Sequence, residues 1–289
     1  MLELLSLRKN PIKNPDKFEY VNTNAKFKNQ SSTVILDLLN TSPFNYDINN
    51  IVKEYCKFRG LFCNPNDGYN IESLTYLLNS NNNEDYLDLI DCCCIFAYCR
   101  ANDLEKYKTS IDDLDIIFKM NGIGYEVYEG KLIQIFNAKM HEEIIRPSLM
   151  IIHNPLFKTA NEELISAFDK FKAKDNPGAI LSASNAVEST IKVISKELKI
   201  KIDNSKPISV LIKTLCDERF FDTFLNDQIN SLTKLLQSSS CARNATSVGH
   251  GTEGKMFNTD DELVKYAIDS AASNILYLVR RFERIKNNS

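Results

Sequence analysis

The chain has 289 residues, 43% of them hydrophobic and 25% charged, and a net charge of −3. That length exceeds the usual single domain, so two domains are expected, and the composition is that expected of an ordinary soluble globular protein. Nine glycines and eight prolines are few, which favours helices over turn-rich β architecture.

The longest apolar run, Cys92 to Cys99, is too short to span a bilayer, and the amino terminus has no basic segment leading into an apolar stretch. A cytoplasmic location without a membrane partner is the expectation. Charge is unevenly spread: residues 1–154 hold 16 Lys and Arg against 21 Asp and Glu, whereas residues 155–289 hold 19 against 17. The second part is the better polyanion binder. Its excess is too small for binding by phosphate contacts alone, so a nucleic-acid contact would be local or assembled from two subunits.

Eight cysteines form no C-x-x-C pair, and no histidine stands at zinc-finger spacing from them. Cys92, Cys93 and Cys94 are consecutive, so on a helix they point three ways and cannot chelate one ion. They read as reduced core thiols, and no metal or other cofactor is expected. Cys241 lies two residues before Arg243, whose guanidinium could lower its pKa, though packing is the simpler reading.

In chain order, residues 1–30 show no sustained period and read as an extended arm. Helices are expected over Thr33–Leu39 and Ile48–Phe58, the latter with a stripe of Ile48, Ile51, Val52, Tyr55 and Phe58. Further helices follow over Ile71–Leu78, Asp85–Arg100 and 103–121, the last stopped by Asn121-Gly122. The period then changes to two. Tyr125–Tyr128 and Lys131–Ile135, joined by Glu129-Gly130, read as a β-hairpin within about 124–136.

A helix before a hairpin raises a winged-helix reading, which would imply DNA binding. Asp103, Glu105, Asp112, Asp113, Asp115, Glu126 and Glu129 argue against it, since they would repel phosphates. His141 opens a helix but lacks the second histidine of a zincin, because position 145 is Ile145. Like His153, which precedes Asn154-Pro155 at the expected domain junction, it reads as structural or solvated.

From Leu156 onward five helices are expected. The first, about 156–173, presents Ala160, Leu164, Ala167, Phe168 and Phe171 on one face. Asn176-Pro177 supplies a cap and a first-turn proline for the second, about 177–199, which buries Ile180, Val187, Ile191, Ile194 and Leu198. Beside that stripe runs a polar one of Asn185, Glu188 and Lys192. A short helix turns Ile208, Leu211, Ile212 and Leu215 inward, and a fourth, about 222–240, repeats the period at Leu225, Ile229, Leu232 and Leu236.

The last begins at a capping box, Thr259-Asp260-Asp261-Glu262, and buries Val264, Ile268, Ala271, Ile275, Val279 and Phe282. Arg280, Arg281, Arg284 and Lys286 suit the negative end of its dipole and need no RNA to explain them.

The chemistry-bearing stretch is 241–251. Arg243 offers a permanently charged fork of donors that fits a phosphate, and His250, between Gly249 and Gly251, titrates near neutral pH. Six residues separate the two. The flanking glycines favour a turn that returns the imidazole toward the guanidinium. The pair suits phosphodiester cleavage, but the same spacing also describes a solvated surface turn.

The run Asn185–Lys192, then Leu211-Ile212, Arg243-Asn244, Gly249-His250-Gly251 and Ala267…Ala271-Ala272-Ser273-Asn274 resembles the carboxy-terminal domain of bacterial abortive-infection proteins, of the HEPN superfamily. The resemblance covers about 155–285, and the part ahead of it is similar to an AbiJ-type amino-terminal domain. It implies a mainly α chain: an arm over 1–30, an AbiJ-like helical domain with one hairpin over 31–153, and a five-helix HEPN-like bundle over 155–286. It further implies a metal-independent endoribonuclease of an anti-phage or toxin-type system. Arg243, Asn244 and His250 fall on its catalytic R-x(4–6)-H motif, and Asn185, Glu188 and Lys192 are expected accessory or substrate-binding residues.

The partners implied are RNA and a second copy of the chain joined through the carboxy-terminal bundle; a regulatory protein or antitoxin is admitted as a third. The competing reading is a non-catalytic helical module that binds nucleotide, RNA or a protein partner.

Overall fold

A computed structural model describes residues 18–20, 23–40, 44–61, 68–80, 83–221 and 260–287. Packing divides the chain into two units, Met1–Ile135 and Phe136–Ser289. The architecture is mainly α, with one two-stranded antiparallel hairpin among the described residues.

In the first unit, helix α1 spans Ala25–Leu39. It takes in the last six residues of the expected arm because Asn24 caps it, its side chain accepting from Phe27 N at 2.8 Å. Helices α2 (Phe44–Arg59), α3 (Ile71–Ser80), α4 (Asn83–Arg100) and α5 (Leu104–Met120) follow the periodicity read from the sequence. The expected stripe Ile48, Ile51, Val52 and Tyr55 is buried; the side chain of Phe58 lies outside the described residues. Gly122 ends α5 at φ +69°, in the left-handed region where glycine carries no Cβ penalty.

Strands β1 (Tyr125–Tyr128) and β2 (Lys131–Gln134) pair in the register Tyr125–Gln134 to Tyr128–Lys131 across Glu129-Gly130. One of the acids that would repel DNA, Asp115, has a structural task, which it shares with Asp91. Asp115 on α5 accepts from Val127 N at 2.9 Å and Asp91 on α4 from Leu132 N at 2.8 Å, so these helices hold a backbone donor on each strand. Ahead of α1, Glu19 bridges to Ile123, and the Tyr20 hydroxyl donates to the Ile135 carbonyl at 2.7 Å.

In the second unit, Asn137 caps α6 (Ala138–Met140), which passes through a π-helical turn, His141–Ile145, into α7 (Arg146–Ile152). The helix therefore opens three residues ahead of His141, which lies inside it and is buried. The sequence groups the segment 136–153 with the amino-terminal part. It packs here with the later helices, since α7 and the π-helical turn both contact the final helix.

Helices α8 (Lys158–Lys172), α9 (Asn176–Glu197), α10 (Ile208–Asp217) and α11 (Asp261–Asn287) complete the described part of this unit. The expected fourth helix, about 222–240, lies outside the described residues. α9 packs along both α8 and α11. The apolar stripes foreseen for α8, α10 and α11 are buried at every position named, and those of α9 likewise except Leu198, which is the carboxy-terminal cap and half-buried.

The cap of α9 falls one residue earlier than expected. Asp175 accepts from Gly178 N at 3.0 Å, and a Cβ at position 178 would overlap that carboxylate. Asn176 is thereby released for another contact: its Nδ2 donates to Asp261 Oδ1 at 2.9 Å. At the start of α11, Asp260 accepts from Glu262 N at 3.1 Å, while Thr259 of the expected capping box lies outside the described residues.

Candidate functional site

Of the six residues singled out by sequence, Arg243, Asn244 and His250 lie outside the described residues, and Asn185, Glu188 and Lys192 lie within α9. Their spacing of three and four puts the latter three on one helix face, beside the stripe that ends at Ile194. All three are half-buried. The structure therefore places these three side chains together along α9.

Lys192 Nζ stands 2.7 Å from Glu188 Oε1, with side-chain exposures of 33% and 24%. Such partial burial keeps the pair from full solvent screening. Next to it, Glu163 on α8 is a participant that the sequence reading missed. Burial raises its carboxyl above the usual range; the Ser189 hydroxyl, hydrogen bonded to it, and Lys192 draw it back, while Glu188 and Glu162 push it further up. Its Oε2 is buried with no hydrogen-bond partner among the described residues.

The result is the Glu188–Lys192 ion pair on α9 with the Glu163 carboxyl of α8 within its electrostatic reach. Glu163 holds its proton more firmly than a solvated glutamate does. Chemically this group can orient a polar ligand or exchange a proton, and Lys192 could reach a phosphate only by loosening its hold on Glu188. A signal for Glu163 existed: it is three residues after Ala160 and four before Ala167, both buried, so it borders the apolar stripe.

A second buried polar contact lies between the π-helical turn and α11. Asp269 is raised to about 6, chiefly by burial, with His141 and Lys265 pulling it down. His141 is thus structural, as one of its two readings had it, and His153 is exposed. No group of three or more His, Cys, Asp or Glu among the described residues could hold a metal ion, and no helix there is long and apolar enough to cross a membrane.

The consecutive cysteines behave as packing groups, whereas Cys99 is exposed and not a core thiol. Cys93 and Cys94 are fully buried and their thiols are pushed well up by desolvation, while the Cys92 thiol is pushed up to about 12 by burial and then by Asp91. Cys63 and Cys241 lie outside the described residues.

Comparison with known proteins supplies one match. Residues 158–282 match the family model of Abi_C, described as a HEPN-like domain. No curated protein and no solved structure matches the chain. The matched span takes in α8, α9, α10 and the greater part of α11, and with them Asn185, Glu188 and Lys192. The AbiJ-like character of the amino-terminal part is outside that match. The carboxy-terminal segment of this chain is thus similar to Abi_C, a HEPN-like domain.

Proposed function

We propose that the chain is a metal-independent endoribonuclease of an abortive-infection or toxin-type anti-phage system. The observation that carries the reading is the HEPN-like match over 158–282, a span that includes Arg243, Asn244 and His250 in the R-x(6)-H arrangement.

In this reading the ribose 2′-oxygen attacks the adjacent phosphorus, its proton passing to an imidazole. The bond from phosphorus to the 5′-oxygen breaks, and that oxygen takes up a proton as it leaves. The products are a 2′,3′-cyclic phosphate and a 5′-hydroxyl. Arg243 neutralises the extra charge of the phosphorane, Asn244 orients either that group or the substrate, and His250 moves the protons. A base and an acid are both needed, yet the motif supplies one imidazole. A twofold dimer through the carboxy-terminal bundle would bring in the second. Asn185, Glu188 and Lys192 belong in this scheme as substrate-positioning residues, and RNA is the substrate.

The test is incubation of purified protein with total RNA in EDTA. Cleavage that persists in the chelator and disappears in His250→Ala supports the proposal. Intact RNA with retained binding favours instead a non-catalytic module whose Arg243 serves as an anion clamp.

A further inference from the structure

Basic residues at the end of a helix are ordinarily explained by its dipole, and for α11 that explanation covers Arg284 and Lys286, which lie in the last turn. It does not reach Arg280 and Arg281, because the effect fades within one turn. Arg280 and Arg284 are four residues apart and Arg281 and Arg284 three, spacings at which like charges repel. Three guanidinium groups on one face therefore cost stability unless something anionic sits among them.

The surface around them is concave. Arg280, Arg281 and Arg284 line a cleft of about 350 Å³ with Ser273, Tyr277 and Leu276 of the same helix, and Ile144 of the π-helical turn closes it. Among the described residues no acid lines it. Two of the side chains are held in place. Arg281 Nε donates to the Phe220 carbonyl at 2.9 Å, and the Tyr277 ring stacks on Phe221 at 6.3 Å with the planes 8° apart. Among the described residues no ion pair engages Arg280 or Arg284, and both are exposed.

The geometry points to a binding subsite for the sugar-phosphate backbone of single-stranded RNA, in which Arg280 and Arg284 take successive phosphates and Tyr277 with Leu276 offers an apolar seat to a base. The two arginines stand one helical turn apart, about 6 Å along the axis, so they present charge as a row and not as a single point. Guanidinium groups beside an aromatic ring are the composition of grooves that bind single strands without reading sequence. The fixed Arg281 contributes positive potential without having to be ordered on binding. This inference rests on the ribonuclease reading for its ligand, and extends it by placing part of the substrate outside the R-x(6)-H motif.

The experiment measures binding of a fluorescein-labelled oligouridylate to full-length His250→Ala protein over a series of salt concentrations. The same measurement is made on that protein carrying in addition Arg280→Ala and Arg284→Ala, or Arg280→Lys and Arg284→Lys. The expected result is roughly tenfold weaker binding for the double alanine variant. Its salt dependence should fall by about 1.4 in logarithmic slope, two contacts at about 0.7 each, while the lysine variant keeps the slope. Equal affinity and slope in the alanine variant would overturn the subsite, as would tighter binding of polyglutamate than of RNA through the same arginines. Failure of the ribonuclease reading looks different: unmodified protein leaves RNA intact, yet the arginine dependence of binding remains.

Discussion

Asp261 Oδ1 accepts a hydrogen bond from Asn176 Nδ2 at 2.9 Å, joining the first residue of α11 to the first residue of α9. Lys174 Nζ reaches the other oxygen of the same carboxylate at 3.1 Å. One acid thus fixes where α11 begins against the α8–α9 turn.

Those two hydrogen bonds hold the Asp261 carboxyl below the usual aspartate range. A depressed folded-state pKa stabilises above the unfolded value, near pH 3.9, and the contribution is lost as pH falls through the folded one. The Asp261 side chain is 43% exposed, so the effect is small. Asp261→Ala is expected to lower stability by about 0.5 kcal/mol at neutral pH, with the difference from the unmodified chain shrinking in acid. Urea denaturation at several pH values measures it.

Asp269 has the opposite sign. Its carboxyl is raised to about 6 while His141 and Lys265 face it, so between about pH 4 and that value the folded chain binds the extra proton. Stability attributable to this group therefore falls as pH rises through that window. Asp269→Asn is expected to flatten the profile and to gain about 1 kcal/mol at neutral pH after allowance for solvent screening. Thermal melts from acid to neutral pH would show a parallel slope in both proteins if the contact were inert.

For Glu188 and Lys192, the 2.7 Å contact predicts a coupling of about 0.5 kcal/mol in a double-mutant cycle of Glu188→Gln and Lys192→Met, read by urea unfolding. Because Lys192 is engaged, the same substitutions are expected to move KM for RNA more than kcat. A loss confined to kcat would move these residues from positioning to chemistry.

Thiol chemistry checks the core of the first unit. Cys99 is exposed, whereas Cys93 and Cys94 are fully buried and the Cys92 thiol is pushed up to about 12. Mass spectrometry after brief alkylation of the native protein is expected to find Cys99 modified and the three consecutive cysteines untouched until denaturant is added.

The parts of the fold that were legible are those where one period dominates. The stripe from Val264 to Phe282 and the hairpin turn at Glu129-Gly130 each depend on local pattern, and both stand where the sequence put them. Boundaries were less legible because two residues compete for one role. Asn176 beside Pro177 reads as a cap, but the neighbouring Asp175 takes the Gly178 amide and leaves Asn176 to bind Asp261. The unit boundary at Ile135–Phe136 escaped because it depends on which helices the segment 136–153 packs against, a tertiary fact with no local marker.

The same holds for the polar groups. Glu188 and Lys192 were visible as a pair four apart, whereas Glu163 joins them only through the packing of α8 on α9. Local pattern assigns Arg280 and Arg281 to the helix dipole, which reaches only Arg284 and Lys286, and the concavity they form with Ile144 depends on packing that the pattern does not contain.

The central claim is that RNA is cut by its own 2′-hydroxyl under the control of Arg243 and His250. It is tested most directly by determining the ends of the RNA fragments made in EDTA. The account predicts 2′,3′-cyclic phosphates and 5′-hydroxyls, absent when either Arg243→Ala or His250→Ala replaces the unmodified protein. Fragments bearing 5′-phosphates and 3′-hydroxyls, undiminished cleavage by His250→Ala, or no fragments at all would contradict it.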